Sequence, residues 1–167
     1  MTPIPHPTSE PVSVTCAVIT VSDTRSPAND SSGQTIQSQL TAAGHRVAMH
    51  EIVPDEPLLI QAKLQQLGGQ VGIQAVIFNG GTGIAPRDTT YDAIQTLLDK
   101  ELPGFGEIFR YLSYQDIGSR AIASRATAGI YRNLIVFSLP GSTNAVTLGM
   151  EKLIVPELVH LTGLLKV

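Results

Sequence analysis

The segment Ala75-Val76-Ile77-Phe78-Asn79-Gly80-Gly81-Thr82-Gly83 is the most informative for the fold class, because an apolar run passes directly into a glycine-rich turn. Four successive apolar residues bounded by a turn predict a short strand that is buried on both faces. Two other runs have the same form: Val14 to Val21 precedes Ser22-Asp23-Thr24-Arg25, and Leu134 to Phe137 precedes Leu139-Pro140-Gly141-Ser142. Strands covered on both faces are typical of parallel sheets.

Helical patterns alternate with these strands. Apolar spacing predicts helices over Gln34 to Ala43, Pro57 to Gly68, Thr90 to Leu102 and Glu107 to Ile117, a further strand over Arg46 to Val53, and a loop over Pro103 to Gly106. The segment from Ser142 to Val167 is predicted to be helical, with Pro156 starting a second helix or kinking the first. The alternation predicts an α/β fold in three layers, α/β/α, with a mostly parallel, Rossmann-like sheet.

Length and composition favour one globular domain. The chain has 167 residues, of which 43% are hydrophobic and 15% are charged, which suits a single core. We expect residues 14–167 to form a single α/β domain. Residues 1–13 contain four prolines and little apolar surface, so we expect a flexible N-terminal tail there.

The charge balance argues against several classes of protein. Eleven Lys and Arg against fourteen Asp and Glu give a net charge of −3, so the chain lacks the basic surface that a nucleic-acid-binding protein requires. It has neither a basic and apolar leader nor an apolar run of the roughly 20 residues that a membrane helix needs. We therefore expect a cytoplasmic protein with no nucleic-acid or membrane partner. The low charged fraction also favours an oligomer.

In a parallel sheet, ligands bind beyond the carboxyl ends of the strands. The most unusual local sequences of the chain fall at those ends: Ser22-Asp23, Asp55, Gly80 to Gly83 with Asp88, and Pro140 to Ser142. The glycine turn allows backbone N–H groups to approach a phosphate, and Thr82 adds a hydroxyl. The sequence therefore predicts a phosphate site at this edge, although a glycine-rich turn can also be only a tight turn.

Asp55 and Asp88 admit two interpretations. Each can be structural, because Asp55 lies in a turn between two prolines and Asp88 precedes a helix that it would cap. If both reach the glycine turn, they form a carboxylate pair, which is what holding Mg²⁺ against a nucleotide phosphate needs.

Other polar residues show no catalytic or metal-binding pattern. Cys16 has no second Cys as a partner and is interpreted as a small, buried core residue. The histidines are scattered and are expected in surface or packing roles: His6, His45, His50 and His160. Three arginines either reach an anionic ligand or serve as solvated charges: Arg110, Arg120 and Arg125.

Six segments, taken together, carry a family resemblance. They are Asn79-Gly80-Gly81-Thr82-Gly83-Ile84-Ala85-Pro86-Arg87-Asp88-Thr89-Thr90, Val21-Ser22-Asp23, Pro54-Asp55, Pro103-Gly104-Phe105-Gly106-Glu107, Ser124-Arg125 and Leu139-Pro140-Gly141-Ser142. As a set they resemble the signature of the molybdopterin-binding MoaB/Mog family, in order, from about Val14 to Leu165. Thr143 and the segment from Leu153 to Leu158 look most like the MoaB branch. The resemblance implies a parallel-type sheet flanked by helices and assembly into trimers or hexamers.

The family also suggests an activity. Its adenylyltransferase members join AMP from Mg-ATP to the terminal phosphate of molybdopterin and release pyrophosphate. The resemblance therefore implies Mg²⁺ as cofactor, ATP and molybdopterin as substrates or ligands, and other molybdenum-cofactor pathway proteins as partners. It implies Asp55 and Asp88 as the catalytic, Mg²⁺-binding carboxylates. The pterin- and phosphate-binding residues that we expect are Ser22, Asp23, Gly80, Gly81, Thr82, Gly83, Ser113, Pro140, Gly141 and Ser142.

One departure from the family pattern keeps alternatives open. Thr143-Asn144 stands where adenylyltransferase members commonly have Pro and Lys. A first alternative is a non-catalytic protein of the same fold that holds or delivers the pterin. A second is a nucleotide hydrolase, similar to the N-terminal domain of competence-damage-type proteins. That domain typically has Gly-Gly-Leu-Gly-Pro-Thr with two adjacent acids, whereas this chain has Thr82 and the single Asp88.

Overall fold

The structure is a computed structural model that describes residues 12–166. The strands are β1 (Thr15–Val21), β2 (Arg46–Val53), β3 (Ala75–Asn79), β4 (Lys100–Glu101), β5 (Thr127–Tyr131) and β6 (Leu134–Leu139). The α-helices are α1 (Ser31–Ala42), α2 (Pro57–Gly68), α3 (Thr90–Gln95), α4 (Pro103–Ile117), α5 (Thr143–Gly149) and α6 (Val155–Leu164). A 3-10 helix (Gly118–Ala123) follows α4, and a π-helical turn (Met150–Ile154) joins α5 to α6.

All these strands form one sheet in the order β2-β1-β3-β6-β5-β4. β1 pairs in parallel with β2 and with β3, and β3 pairs in parallel with β6. β5 and β4 add an antiparallel edge beyond β6. The predicted mostly parallel sheet is confirmed, and the turns that follow β3 and β6 come to lie side by side.

Helices cover both faces of the sheet, as the continuous apolar runs predict. Alternate residues of β1 face opposite sides, so Cys16 and Val18 belong to one apolar cluster and Ala17 and Ile19 to the other. The first cluster packs against α1, α4, α5 and α6, and the second packs against α2 and α3. Cys16 is fully buried, as predicted, and burial raises the pKa of its thiol to about 12.

Several elements lie where the sequence predicts them. β2 has the predicted bounds, and α2 begins at Pro57, because proline suits the first turn of a helix. Gly44 follows α1 with a φ of +85°, the left-handed conformation that ends many helices. Pro156 lies in the first turn of α6 and so starts the second helical segment.

The predicted helix over Thr90 to Leu102 is wrong in its second half. α3 ends at Gln95, and Lys100–Glu101 forms the edge strand β4. The Asp99 N–H donates to the Ile130 carbonyl at 2.7 Å, at the point where the chain joins β5. Backbone pairing with β5 therefore overrides the helical spacing of the leucines in this segment.

Two helices begin earlier than predicted, and β5 is missed by the sequence analysis. The predicted loop Pro103–Gly106 is the first turn of α4, and a Cβ at Gly106 would come within 2.7 Å of the Ala126 carbonyl. Glycine therefore allows this turn to pack against the chain that enters β5. α1 begins at Ser31 because the Asp30 carboxylate caps its first turn.

The predicted tail lies mostly outside the described residues, which include only Val12 and Ser13 of it. The flexibility of this tail stays a prediction. The single domain over residues 14–167 also stays a prediction. Across residues 12–166, no helix combines the length and the apolar character that crossing a membrane requires.

Candidate functional site

The turns that follow β3 and β6 meet at the carboxyl edge of the sheet. The Gly80 N–H donates to the Leu139 carbonyl at 3.0 Å, and a Cβ at Gly141 would lie 3.2 Å from the Gly80 Cα. A cavity of about 250 Å³, which we call the inner cavity, opens between these turns and α4. The residues predicted for the site that line it are Gly81, Thr82, Gly83, Asp88, Ser113, Pro140, Gly141 and Ser142.

The protein itself binds the carbonyl groups of the glycine turn. The Thr90 N–H donates to the Gly81 carbonyl at 3.0 Å. Arg125 donates to the next two carbonyls: its N–H to Thr82 at 3.2 Å, and its guanidinium to Gly83 at 2.8 and 3.0 Å. These bonds fix the orientation of the successive peptide groups.

The carbonyl of Gly141 is held in a similar way. The Ser32 hydroxyl and the Arg25 guanidinium donate to it, at 2.5 and 3.1 Å. Arg25 also donates to the buried Asp30 carboxylate at 3.2 Å. The sequence alone assigns none of these three side chains to the site.

The N–H groups of the same turns, by contrast, have no protein acceptor. Within residues 12–166, this holds for Gly81, Thr82, Gly83, Gly141 and Ser142. Thr82 is buried and Gly81, Gly83 and Gly141 are half-buried, whereas Ser142 is exposed. A set of such donors around one cavity therefore suits an anionic ligand.

Asp55 lies behind the glycine turn and is buried. Its Oδ1 accepts from the N–H and the hydroxyl of Thr89, at 3.2 and 2.7 Å. Its Oδ2 faces Gly81, where a Cβ would lie 2.7 Å away. Gly81 has a φ of +66° as well, so both the space and the backbone conformation require glycine.

Asp88 lies at the far end of the turn and lines the inner cavity. Its Oδ2 accepts from the Ala85 N–H at 3.0 Å, and a Cβ at Gly83 would lie 2.6 Å from that oxygen. Thr89, not Asp88, is the residue that precedes α3 at its N-terminus, so the capping interpretation is wrong. Both aspartates thus reach the glycine turn from opposite ends.

Asp88 lines the inner cavity and Asp55 does not, so the two carboxylates as a magnesium pair stay a prediction. Each keeps one oxygen free of donors from residues 12–166, Oδ2 of Asp55 and Oδ1 of Asp88. Mg²⁺ is commonly held by one or two carboxylates together with substrate phosphates. In the described part of the chain, no group of three or more His, Cys, Asp or Glu side chains could hold a metal ion. A magnesium ion here would therefore need oxygens from the ligand.

Ser22 and Asp23 are not among the residues that line the inner cavity. The Ser22 hydroxyl accepts from two following backbone N–H groups and so shapes the turn after β1. Asp23 accepts from the Arg87 guanidinium at 2.7 Å and from the Asp55 N–H at 3.0 Å. The hydrogen bonds from Arg87 and Asp55 hold the pKa of Asp23 below its usual range. Asp23 thus positions the segment that carries Asp55.

Ser124 belongs to the site, although the sequence analysis does not assign it there. It lines the inner cavity, and its buried hydroxyl oxygen has no hydrogen-bond partner within residues 12–166. Its place in the Ser124-Arg125 motif is the signal that could have found it. The arginines do not line the cavity; Arg110 donates to the carbonyls of Ser124 and Ala126, at 3.4 and 3.2 Å.

The architecture and the paired turns assign this protein to a class. It is a three-layer α/β domain in which two turns at the carboxyl edge of parallel strands present free N–H groups between two carboxylates. This arrangement suits a phosphate-bearing ligand accompanied by a divalent cation.

The chain belongs to the family described as the probable molybdopterin binding domain, which matches residues 17–160. It is 56% identical to molybdenum cofactor biosynthesis protein B of Bacillus subtilis (strain 168), over 93% of this chain and 92% of that protein. It is 52% identical to the protein of the same name from Halalkalibacterium halodurans, with the same coverage of 93% and 92%. A crystal structure of a molybdenum cofactor biosynthesis protein B matches with a TM-score of 0.92 and 47% identity, covering 94% of this chain and 98% of that one. The predicted family is confirmed.

Proposed function

We propose that this protein acts in molybdenum cofactor biosynthesis, where it binds molybdopterin in the inner cavity and transfers AMP to it from Mg-ATP. Membership of the molybdopterin binding family supports molybdopterin as the ligand. The observation that carries the proposal is the pair of turns whose carbonyls are bound by the protein and whose N–H groups are free. N–H groups that are already oriented stabilise negative charge without reorganising.

The terminal phosphate of molybdopterin is the group that best suits these turns. Its oxygens accept from the free N–H groups of Gly81 to Gly83 on one side and of Gly141 and Ser142 on the other. The hydroxyls of Ser113 and Ser124, which line the same cavity, supply further donors. This binding holds the phosphate still beside Asp55 and Asp88.

In the transfer, an oxygen of the pterin phosphate attacks the α-phosphorus of ATP. The bond from that phosphorus to the β-bridging oxygen breaks, and pyrophosphate leaves with the bonding electron pair. All the reacting groups are anions, so their approach requires compensating positive charge. Asp55 and Asp88 would hold Mg²⁺, which supplies that charge when it is bound. The chain's own contribution is to orient the attacking phosphate and to stabilise its charge through the N–H groups.

The test is AMP transfer to molybdopterin at saturating ATP and Mg²⁺, measured for wild type, Asp55→Asn and Asp88→Asn. Asn keeps the acceptor oxygen that binds Thr89 or Ala85, and removes the charge that holds a metal ion. We expect either substitution to lower the transfer rate by about a hundredfold or more, while the affinity for the pterin changes little.

Glu56→Gln is the matched control, because it removes a neighbouring carboxylate that pairs with Arg87 at the surface. It should leave the rate near that of wild type. Transfer that survives both aspartate substitutions would refute the metal assignment. A wild-type protein that binds the pterin and transfers no AMP would favour the non-catalytic binding protein instead.

A further inference from the structure

A second cavity of about 440 Å³ extends the inner cavity outward between α4 and α5. We call it the outer cavity. The two share Ser113, Ile117, Ser142 and Ala145 as lining residues, so they form one continuous cleft. The outer cavity adds three residues of its own: Asp116, Asn144 and Leu148.

The two ends of this cleft differ in what they can bind. Among the residues described, Asp88 is the one charged residue that lines the inner cavity, and Asp116 is the one that lines the outer cavity. Asp88 lies beside free N–H groups that can compensate the negative charge of a phosphate. Asp116 lies in the last turn of α4, where the helix dipole adds partial negative charge. The outer cavity therefore disfavours an anion and favours a neutral group that is rich in donors.

We propose that the outer cavity recognises the 2-amino-4-oxopyrimidine edge of the pterin ring, with Asp116 as its specificity-determining residue. The inference rests on the proposed function and fixes the direction in which the ligand lies. The ring N3–H and the 2-amino group donate in parallel to the two oxygens of Asp116, a bidentate and charge-assisted arrangement. Ile117 and Leu148 supply apolar contacts for the ring, and the Asn144 amide supplies a donor for the 4-oxo group.

The same chemistry distinguishes the pterin from adenine. Adenine presents one amino donor beside a ring nitrogen that is an acceptor, so one oxygen of a carboxylate would face a lone pair. Guanine presents the same 2-amino-4-oxopyrimidine edge as the pterin and differs in the ring that is fused to the pyrimidine. A carboxylate at this position thus selects against the base of ATP, the second substrate of the proposed reaction.

The experiment compares three soluble probes by titration calorimetry: 6-hydroxymethylpterin monophosphate, the corresponding 2-oxo lumazine monophosphate, and GMP. In the lumazine an oxygen replaces the 2-amino group, so the lumazine ring presents an acceptor, not a donor, to the carboxylate of Asp116. We expect wild type to bind the pterin phosphate at least tenfold more tightly than the lumazine phosphate, because a hydrogen bond to a charged group is replaced by repulsion. GMP should bind more weakly than the pterin phosphate.

Asp116→Asn is the test variant, and it should fold normally because Asp116 is exposed. It should weaken pterin binding about tenfold and abolish the preference over lumazine, since an amide can donate to the 2-oxo group. Glu107→Gln, on the same helix and outside both cavities, is the control and should preserve the preference. Circular dichroism checks the fold of both variants.

The outcomes separate this inference from the proposed function. Pterin binding with an unchanged preference in Asp116→Asn would overturn the role of Asp116 and leave the proposed function standing. A wild-type protein that binds no pterin phosphate would overturn both. GMP binding as tight as pterin binding would overturn the assignment of the outer cavity to a pterin ring.

Discussion

Asp30 is fully buried, and it joins the cap of α1 to the proposed phosphate site. Four groups lie within 3.2 Å of its carboxylate oxygens: the Thr20 hydroxyl, His50 Nε2, the Gly33 N–H and the Arg25 guanidinium. Burial opposes ionisation of this carboxyl group, but these contacts outweigh it and hold the pKa of Asp30 below its usual range. Because Arg25 also binds the Gly141 carbonyl, Asp30 supports the turn after β6.

Asp30→Asn keeps the cap of α1 but removes the charge that its neighbours bind. We expect the free energy of unfolding at pH 7 to fall by about 1–3 kcal/mol. The folded-state pKa lies below the unfolded value of about 3.9, so the contribution is complete above that value and is lost as the pH falls through the folded pKa. The difference between wild type and variant should therefore shrink below about pH 4. Urea denaturation across this pH range measures it.

Glu157→Gln is the control for this substitution, because it removes a carboxylate from an exposed pair with His160. Such pairs contribute little to stability, so the variant should unfold like wild type. An Asp30→Asn protein as stable as wild type at pH 7 would show that the buried charge is not needed.

The sequence predicts some site residues and leaves others out for a physical reason. The glycine turn and the Pro140 turn could be predicted because each follows its strand directly, so their placement is local. The role of Arg25 could not be predicted, because the Gly141 carbonyl that it binds lies 116 positions away in the sequence. Contacts of that separation depend on the completed packing of α1 against the sheet.

The two antiparallel strands, β4 and β5, show where a local pattern fails. β4 consists of two charged, exposed residues, Lys100 and Glu101. β5 contains Gly129, where a Cβ would clash with the Lys100 carbonyl of β4. Glycine thus allows β4 to approach β5. Glycine is uncommon in strands, however, so its presence in the sequence argues against predicting a strand here. The central strands could be predicted, because burial on both faces makes them continuous apolar runs.

The turn after β3 depends on glycine at position 81. Gly81→Ala would place a methyl group within 2.7 Å of Asp55 Oδ2 and would hold an L-residue at a φ of +66°. We expect the affinity for a pterin phosphate to fall about tenfold or more, because strain of this kind displaces the N–H groups of the turn. Calorimetric titration measures the affinity, and the far-UV circular dichroism should stay unchanged.

Gly163→Ala in α6 is the matched control, since a Cβ there meets nothing within 4 Å. It should leave the affinity unaltered. Wild-type affinity in Gly81→Ala would place the ligand away from the glycine turn.

The outer face of α4 is unusually apolar. Ile108, Tyr111 and Tyr114 each expose half or more of their surface. Together with the low charged fraction, this face supports the predicted trimer or hexamer. Light scattering on a sizing column should give three or six times the chain mass of 17.7 kDa.

A charge on this face tests the assembly further. Ile108→Asp should lower the measured mass towards that of one chain. Val71→Asp is the control: Val71 is 99% exposed and lies before the amino end of β3. It should leave the mass unchanged. A wild-type protein that runs as a stable monomer would contradict the prediction.

The strand order has a consequence for the chain while the ribosome is making it. β1, β2 and β3 can pair as they emerge, but β6 is the later strand that lies against the other edge of β3. Until Leu134–Leu139 is synthesised, that edge of an apolar strand is open, and open edges are templates for association between nascent chains. The docking of β6 closes this edge and brings the turn after it against Gly80. The inner cavity therefore forms in the same step that closes this open edge.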